Sequence, residues 1–172
     1  RGSEIAMIFQ DPTAALNPLI TVGNQLIDVI RTHKRCTRSQ ARERAIESLK
    51  LAGFGEPQQQ LRRYSSQLSG GMRQRVAIAL ALSCEPSLII ADEATSNLDV
   101  SIQAKIVKLL YDLKEKLGLA LIFVTHDLSL AAEIGGDLLV MYSGNVVEYG
   151  PVQSVLTNPK HPYTKGLLQS AP

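Results

Sequence analysis

Two short stretches of this chain hold residue types that together could grip a phosphate and its metal ion. In Leu68-Ser69-Gly70-Gly71-Met72-Arg73-Gln74-Arg75 a serine and two glycines open a helix, which leaves a hydroxyl and the unbonded N–H groups of the first turn as an anion site, helped by the helix dipole. In Leu88-Ile89-Ile90-Ala91-Asp92-Glu93 an apolar strand ends in two adjacent carboxylates. Asp92 suits Mg²⁺, which prefers hard oxygen ligands and keeps much of its water. Glu93, one residue on and past the strand end, suits a base that polarises the water attacking a γ-phosphate. The pair points to ATP. No Gly-x-x-x-x-Gly-Lys-[Ser/Thr] phosphate loop occurs in the 172 residues, although a carboxylate strand of this kind works opposite one.

The elements that must position these residues follow from the apolar spacing. Glu4 to Gln10 is a short strand stopped by Asp11-Pro12, because proline cannot continue the ladder. Gln10 therefore sits at a strand exit, where its amide can reach Mg²⁺ or the water. Thr13 to Glu85 is helical. Val22, Leu26, Ile27, Val29 and Ile30 recur at helical spacing, as do Ala41, Ala45, Ile46, Leu49 and Ala52 behind a Ser39 cap. Gly53 and Gly55 end that second helix, and a polar loop from Glu56 to Gln67 leads into the Ser-Gly-Gly helix, which runs to Pro86 with Met72, Val76, Ala79, Leu80 and Ser83 on one face.

Strands and helices then alternate. Ser87 to Ala91 is a continuous apolar run, expected of a strand covered on both faces. Asp99 or Ser101 caps a helix striped by Ile102, Ile106, Leu109, Leu110, Leu113 and Leu117 and closed by Gly118. Leu119 to Thr125 is a second buried strand ending in His126-Asp127, and Leu128 to Ile134 is a short helix. Leu138 to Tyr142 and Asn145 to Tyr149 form a hairpin around Ser143-Gly144, followed by short helices at Pro151 to Leu156 and Tyr163 to Leu168. Glu93 and His126 lie 33 positions apart, the size of one βαβ unit, whose right-handed crossover makes the two strands parallel neighbours. Asp92, Glu93 and His126 are thus expected at the carboxyl edge of a parallel sheet, where open α/β folds bind ligands. There His126 can hydrogen-bond the γ-phosphate. Singly, the Asp-Glu pair could be a turn cap and Ser69 a plain N-cap; it is their coincidence that carries the chemistry.

Composition narrows the function classes. With 172 residues, 45% hydrophobic and 20% charged, the chain is long enough for one globular domain with a real core. A net charge of only +2, from 18 basic and 16 acidic residues, gives no bulk electrostatic argument for a nucleic-acid partner. The basic run from Arg31 to Arg44 could touch phosphates or lipid heads, but reads first as a solvated loop and helix face. Cys36 and Cys84 are too few and too far apart for a disulfide framework or a zinc site, which fits a reducing cytoplasmic setting. No apolar run approaches the length of a membrane span, and no signal-peptide pattern occurs. The chain begins at Arg1 without a methionine, as expected of a piece of a longer polypeptide.

These residues resemble the nucleotide-binding subunit of an ATP-binding-cassette (ABC) transporter. Ile8-Phe9-Gln10-Asp11-Pro12 is similar to the Q-loop, Leu68 to Gln74 to the signature motif, Leu88 to Glu93 to the Walker B strand, Ser96-Asn97-Leu98-Asp99 to the D-loop, and Thr125-His126-Asp127 to the switch histidine. The resemblance implies an α/β fold of the P-loop NTPase type, with a parallel sheet core and an inserted helical subdomain, truncated at its N-terminus. It divides the chain into a Q-loop strand (1–12), a helical subdomain with the signature (13–85), a Walker B, D-loop and H-loop core (86–150) and a C-terminal extension (151–172). It implies ATP and Mg²⁺ as cofactors, with Asp92 and Gln10 on the metal and Glu93, His126 and Gln10 catalytic. Ser69, Gly70, Gly71, Gln74 and Asp99 would bind nucleotide, the signature residues acting on the ATP of a second subunit in a head-to-tail dimer. Permease subunits and, indirectly, an extracytoplasmic solute-binding protein are the implied partners, with the chain peripheral on the cytoplasmic face of the membrane.

Leu16-Asn17-Pro18 and Asn158-Pro159-Lys160-His161-Pro162-Tyr163-Thr164 resemble more narrowly the oligopeptide, dipeptide and nickel importer branch. Ala94, Asn97 and Ser65-Ser66 depart from the common pattern. In the family the phosphate loop precedes the Q-loop on a strand lying between those assigned to Leu119–Thr125 and Leu138–Tyr142. The 172 residues are therefore expected either to fold with a rearranged sheet or to be part of a larger chain, and to be inactive in hydrolysis alone. An ABC-type ATPase of repair or translation would act on nucleic acid instead, but the block between Gln10 and Ser69 lacks a long heptad-rich insertion. A non-hydrolytic interaction module is the remaining alternative.

Overall fold

A computed structural model describes residues 4–170, so the outermost residues of the spans 1–12 and 151–172 lie outside it. The chain forms two compact units, residues 1–124 and 125–172.

The first unit is built on three parallel strands in the order β1 (Ile5–Ile8), β2 (Leu88–Asp92), β3 (Ala120–Val124). The register aligns Ile8 with Ala91 and Phe123, and Asp92 with Val124, so β2 and β3 are the parallel neighbours that the spacing implies. The helix between them, α6 (Val100–Leu117), starts on Asp99, whose carboxylate accepts the Ile102 N–H at 3.0 Å, and ends on Gly118 at φ +63. Asp99, not Ser101, is the cap, and only a residue without Cβ turns the chain left-handed there without strain.

Sheet burial corrects one expectation. Ala6, Ile8, Ile89 and Ala91 are buried with side chains of α6 and α5 (Gly70–Leu82), but the alternate residues are not: Phe9 is 48% exposed and Ile122 50%. β3 is therefore half-open rather than buried, and β2 alternates between buried and half-buried positions. A continuous apolar run records that a strand can be covered on both faces; whether helices reach both is decided elsewhere in the chain.

Between β1 and β2 lie α1 (Pro12–Ala15), α2 (Val22–His33), α3 (Arg38–Leu51), α4 (Pro57–Gln60), a 3-10 turn (Ser65–Gln67) and α5. α2 buries Val22, Leu26, Ile27 and Ile30, and α3 buries Ala41, Ala45 and Leu49, in the same core. Each fully buried Leu or Ile there is worth about 1.5–3 kcal/mol relative to exposure. α3 begins earlier than the expected Ser39 cap. Thr37 accepts the Gln40 N–H while the Gln40 side chain returns to the Thr37 N–H, and this reciprocal pair satisfies two orphan donors where a lone serine would satisfy one. The segment Glu56 to Gln67, expected as loop, holds α4 and the 3-10 turn, started by Pro57 at a first-turn position. In the basic run, Lys34 and Arg44 pair with Glu85 at 3.4 and 3.0 Å. Cys84 is buried, which pushes its thiol up, and Cys36 is half-buried; both are free thiols.

The second unit carries α7 (Leu128–Ile134), the antiparallel pair β4 (Asp137–Tyr142) and β5 (Asn145–Pro151), α8 (Val152–Thr157) and α9 (Pro162–Ser170). Val140, Val152, Val155, Leu130 and Thr164 are its buried residues. Among the described residues no helix is long and apolar enough to cross a membrane.

Candidate functional site

The strand exits of β1 and β2 bring together residues 83 positions apart in the chain. Gln10 Nε2 donates to Glu93 Oε2 at 2.8 Å and to Ser96 Oγ at 3.2 Å, and Ser96 Oγ donates to the Glu93 carbonyl at 3.1 Å. Glu93 has φ +45, a left-handed conformation that costs a non-glycine residue about 1–2 kcal/mol and that clusters at functional sites. It lets the chain turn at the end of β2, so that the Glu93 N–H bonds to the Val124 carbonyl at 3.0 Å while its side chain meets Gln10. Asp92, the last residue of β2, is half-buried and shares a strand face with Leu88 and Ile90. Gln10 and Glu93 are thus together at the carboxyl edge of the sheet, with Asp92 adjoining.

Gln10 ends with its two N–H donors directed at two acceptors, which leaves its carbonyl oxygen as the group able to take a cation. With Asp92 it offers hard oxygens only. No group of three or more His, Cys, Asp or Glu able to cage a metal exists among the described residues. That donor set fits Mg²⁺, which binds through one or two carboxylates together with phosphate oxygens and water.

Ser69 is the N-cap of α5, its Oγ accepting the Met72 N–H at 3.4 Å, and Ser69 and Gly70 are exposed at that helix start. Capping uses the oxygen as acceptor and leaves its proton for an anion. Gly71 does a second job that its place in an anion site does not reveal: it is buried, and a Cβ there would lie 2.8 Å from Ile102 Cγ2. Its lack of a side chain lets α5 approach α6. Gln74 is 1% exposed and its Nε2 has no hydrogen-bond partner among the described residues. A cleft of about 150 Å³ lined by Gln10, Asp11, Gly70, Arg73, Gln74 and Asn97 joins the Q-loop exit to the start of α5. Within it the Thr13 hydroxyl and N–H hold the Asp11 carboxyl below the usual carboxylate range, and the Arg73 guanidinium adds to this.

His126 belongs to the second unit, two residues past β3, and is exposed. In that unit the segment Asn158 to Thr164 finds its partner in Glu148 of β5, whose two oxygens accept the N–H groups of Lys160 (2.7 Å) and His161 (3.1 Å). His161 Nδ1 accepts the Tyr163 N–H at the start of α9, and the Tyr163 ring packs 4.6 Å from that of Tyr142. Nothing in the sequence marks Glu148, since the two N–H groups whose hydrogen bonds it accepts are backbone groups that any residue supplies.

The family described as ABC transporter matches residues 1–96, more than half of the chain. The chain belongs to the ABC transporter family. A second family, described as oligopeptide/dipeptide transporter, C-terminal region, matches residues 147–172 and so includes Glu148 and the segment it holds. The ABC cassette is 48% identical over 172 residues to the oligopeptide transport ATP-binding protein AppD of Bacillus subtilis, covering all of this chain and 52% of the relative. It is 49% identical over 171 residues to the dipeptide transport ATP-binding protein DppD of Escherichia coli, covering 99% of this chain and 52% of that one. The chain therefore spans about half the length of the curated relatives it matches.

Among solved structures, the ATP-binding cassette MJ0796, described as dimeric and bound to ADP and Pi, superposes with a TM-score of 0.74 at 34% identity, over 88% of this chain and 64% of that one. CbiO1 of Clostridium perfringens, described as part of an ABC transporter complex, superposes with a TM-score of 0.80 at 29% identity, over 91% of this chain and 60% of that one. The ABC-ATPase-like α/β fold expected from the motifs is correct, and the expected resemblance to the oligopeptide, dipeptide and nickel importer branch is met by the family match over residues 147–172.

Proposed function

We propose that this ABC cassette is the ATP-binding and ATP-hydrolysing part of an importer for di- or oligopeptides. The observation that carries the reading is the 2.8 Å bond between Gln10 and Glu93 at the carboxyl edge of the parallel sheet. Glu93 polarises the water that attacks the γ-phosphate, taking its proton, and the strained turn aims it past the strand end. Asp92 and the Gln10 carbonyl would hold Mg²⁺, which would supply positive charge to offset that of the phosphates. His126 hydrogen-bonds the γ-phosphate and registers its loss. Exposed Ser69 and Gly70, with Gly71, Gln74 and Asp99, serve the ATP of a second cassette subunit; the exposure of the first two supports that assignment. The spans 1–12, 13–85, 86–150 and 151–172 are the corresponding divisions. Transmembrane permease subunits and a solute-binding protein complete the importer, with the cassette peripheral on the cytoplasmic side. The match of residues 147–172 supports peptides over other solutes.

The test is Glu93→Gln in the protein made from its complete reading frame, with phosphate release and ATP binding measured separately. Turnover is expected to fall by about 10²-fold or more with ATP still bound. Turnover within threefold of the parent would remove Glu93 from the role.

A further inference from the structure

We propose that Ser96 is a positioning residue for hydrolysis, joining Gln10 and Glu93 into one closed ring of hydrogen bonds. The proposal deepens the ATPase reading above and rests on it. Gln10 Nε2 has two protons, and the structure uses one on Glu93 Oε2 (2.8 Å) and directs the other at Ser96 Oγ (3.2 Å). Ser96 in turn grips the Glu93 peptide twice, through its hydroxyl and its own N–H, each 3.1 Å from the Glu93 carbonyl oxygen. The ring therefore runs from the Glu93 carboxylate to the Gln10 amide, to the Ser96 hydroxyl, and back to the Glu93 backbone.

Two consequences follow from that closure. An amide can turn end for end about its last torsion, and a carboxylate alone fixes only one N–H; the Ser96 oxygen fixes the second, so the Gln10 carbonyl is held facing away from Glu93. The second concerns the backbone. Glu93 sits at φ +45, which surrounding contacts must over-determine for a residue with a side chain. Ser96 supplies two hydrogen bonds to that residue's carbonyl from three positions on. Because Ser96 is exposed, the loss of its hydroxyl is a change in aim and not a hole in the core. Misaim of a water-activating group is expensive in rate, since a shift near 1 Å can cost about 10²-fold.

The experiment uses the protein from its complete reading frame, with steady-state ATPase kinetics of S96A, S96T, Q10A, the double variant S96A/Q10A, and E93Q. Ser96→Ala is expected to lower kcat by about tenfold with KM for ATP within twofold, and Ser96→Thr, which keeps the hydroxyl, to stay within about threefold of the parent. In the Gln10→Ala background the Ser96→Ala step should shrink to less than about twofold, because the ring is already open. A Ser96→Ala kcat within twofold of the parent, or the same loss with and without Gln10, overturns the proposal while E93Q remains inactive. If E93Q turns over like the parent, the ATPase role of Glu93 fails and this proposal fails with it. An equal loss in S96A and S96T points to packing and overturns it as well.

Discussion

Two glutamates, one in each unit, show how the same side chain is put to opposite uses. Glu93 follows β2, sits at φ +45 and meets a side-chain amide, itself exposed and able to swing. Glu148 lies within β5 and accepts two backbone N–H groups, from Lys160 and His161. Backbone donors do not rotate away, so Glu148 fastens one chain segment to another. Side-chain donors can, so the bond from Gln10 to Glu93 is one that the proposed role of Glu93 could exchange for substrate. The Thr164 hydroxyl nearby, the two N–H groups and His161 lower the Glu148 carboxyl from the usual range, with burial working against them. On the proposed reading, the difference between the catalytic Glu93 and the fastening Glu148 lies in what donates to each, not in the residue.

The contrast has measurable outcomes. The largest is Glu93→Gln, at about 10²-fold in turnover, whereas Glu148→Gln should leave turnover per folded molecule within about threefold. Next is Gly71→Ala, whose new Cβ would lie 2.8 Å from the branched methyl of Ile102. Overpacking of this kind costs about 1–3 kcal/mol in chemical denaturation, and Ile102→Ala in the same chain should return part of it. Glu148→Ala should speed amide exchange at Lys160 and His161 roughly tenfold and leave exchange in β2 unchanged, since the loss is local to its unit.

The Glu148 contact should depend on pH. The folded Glu148 binds its proton only below its ordinary value of 4.5, so the unfolded chain is protonated earlier as pH falls. Its stabilisation is therefore complete above that pH and is lost as pH drops through the lowered folded value, which a pH series of the same amide exchange would follow, and which Glu148→Gln should flatten. The smallest expected change is in Glu93→Gly. Relief of the left-handed strain and the added chain entropy nearly offset, leaving stability within about 1 kcal/mol of the parent although turnover is lost.

Much of this arrangement is legible in the amino-acid sequence. The strand exits at Gln10 and Glu93 follow from proline and from the end of an apolar run, the N-terminus of α5 from Ser69 and two glycines, and α7 from its apolar spacing, because each of these rules operates within one turn or one strand. Legibility fails where two local solutions compete or where a distant element decides. Thr37 takes the cap of α3 from Ser39 through a reciprocal bond to Gln40. The open face of β3 cannot be read from Leu119 to Thr125, whose apolar run is compatible with either outcome.

By itself the sequence determined the residue types at the edge of the sheet, their order, and the family to which their spacing belongs, since periodicity and capping are short-range. Only the tertiary structure decided that Gln10, Glu93 and Ser96 close a ring across 83 positions, that Gly71 is small for the sake of Ile102, and that Glu148 is spent on backbone. Those contacts depend on which elements pack together, and packing is a property of the whole chain that no local pattern encodes.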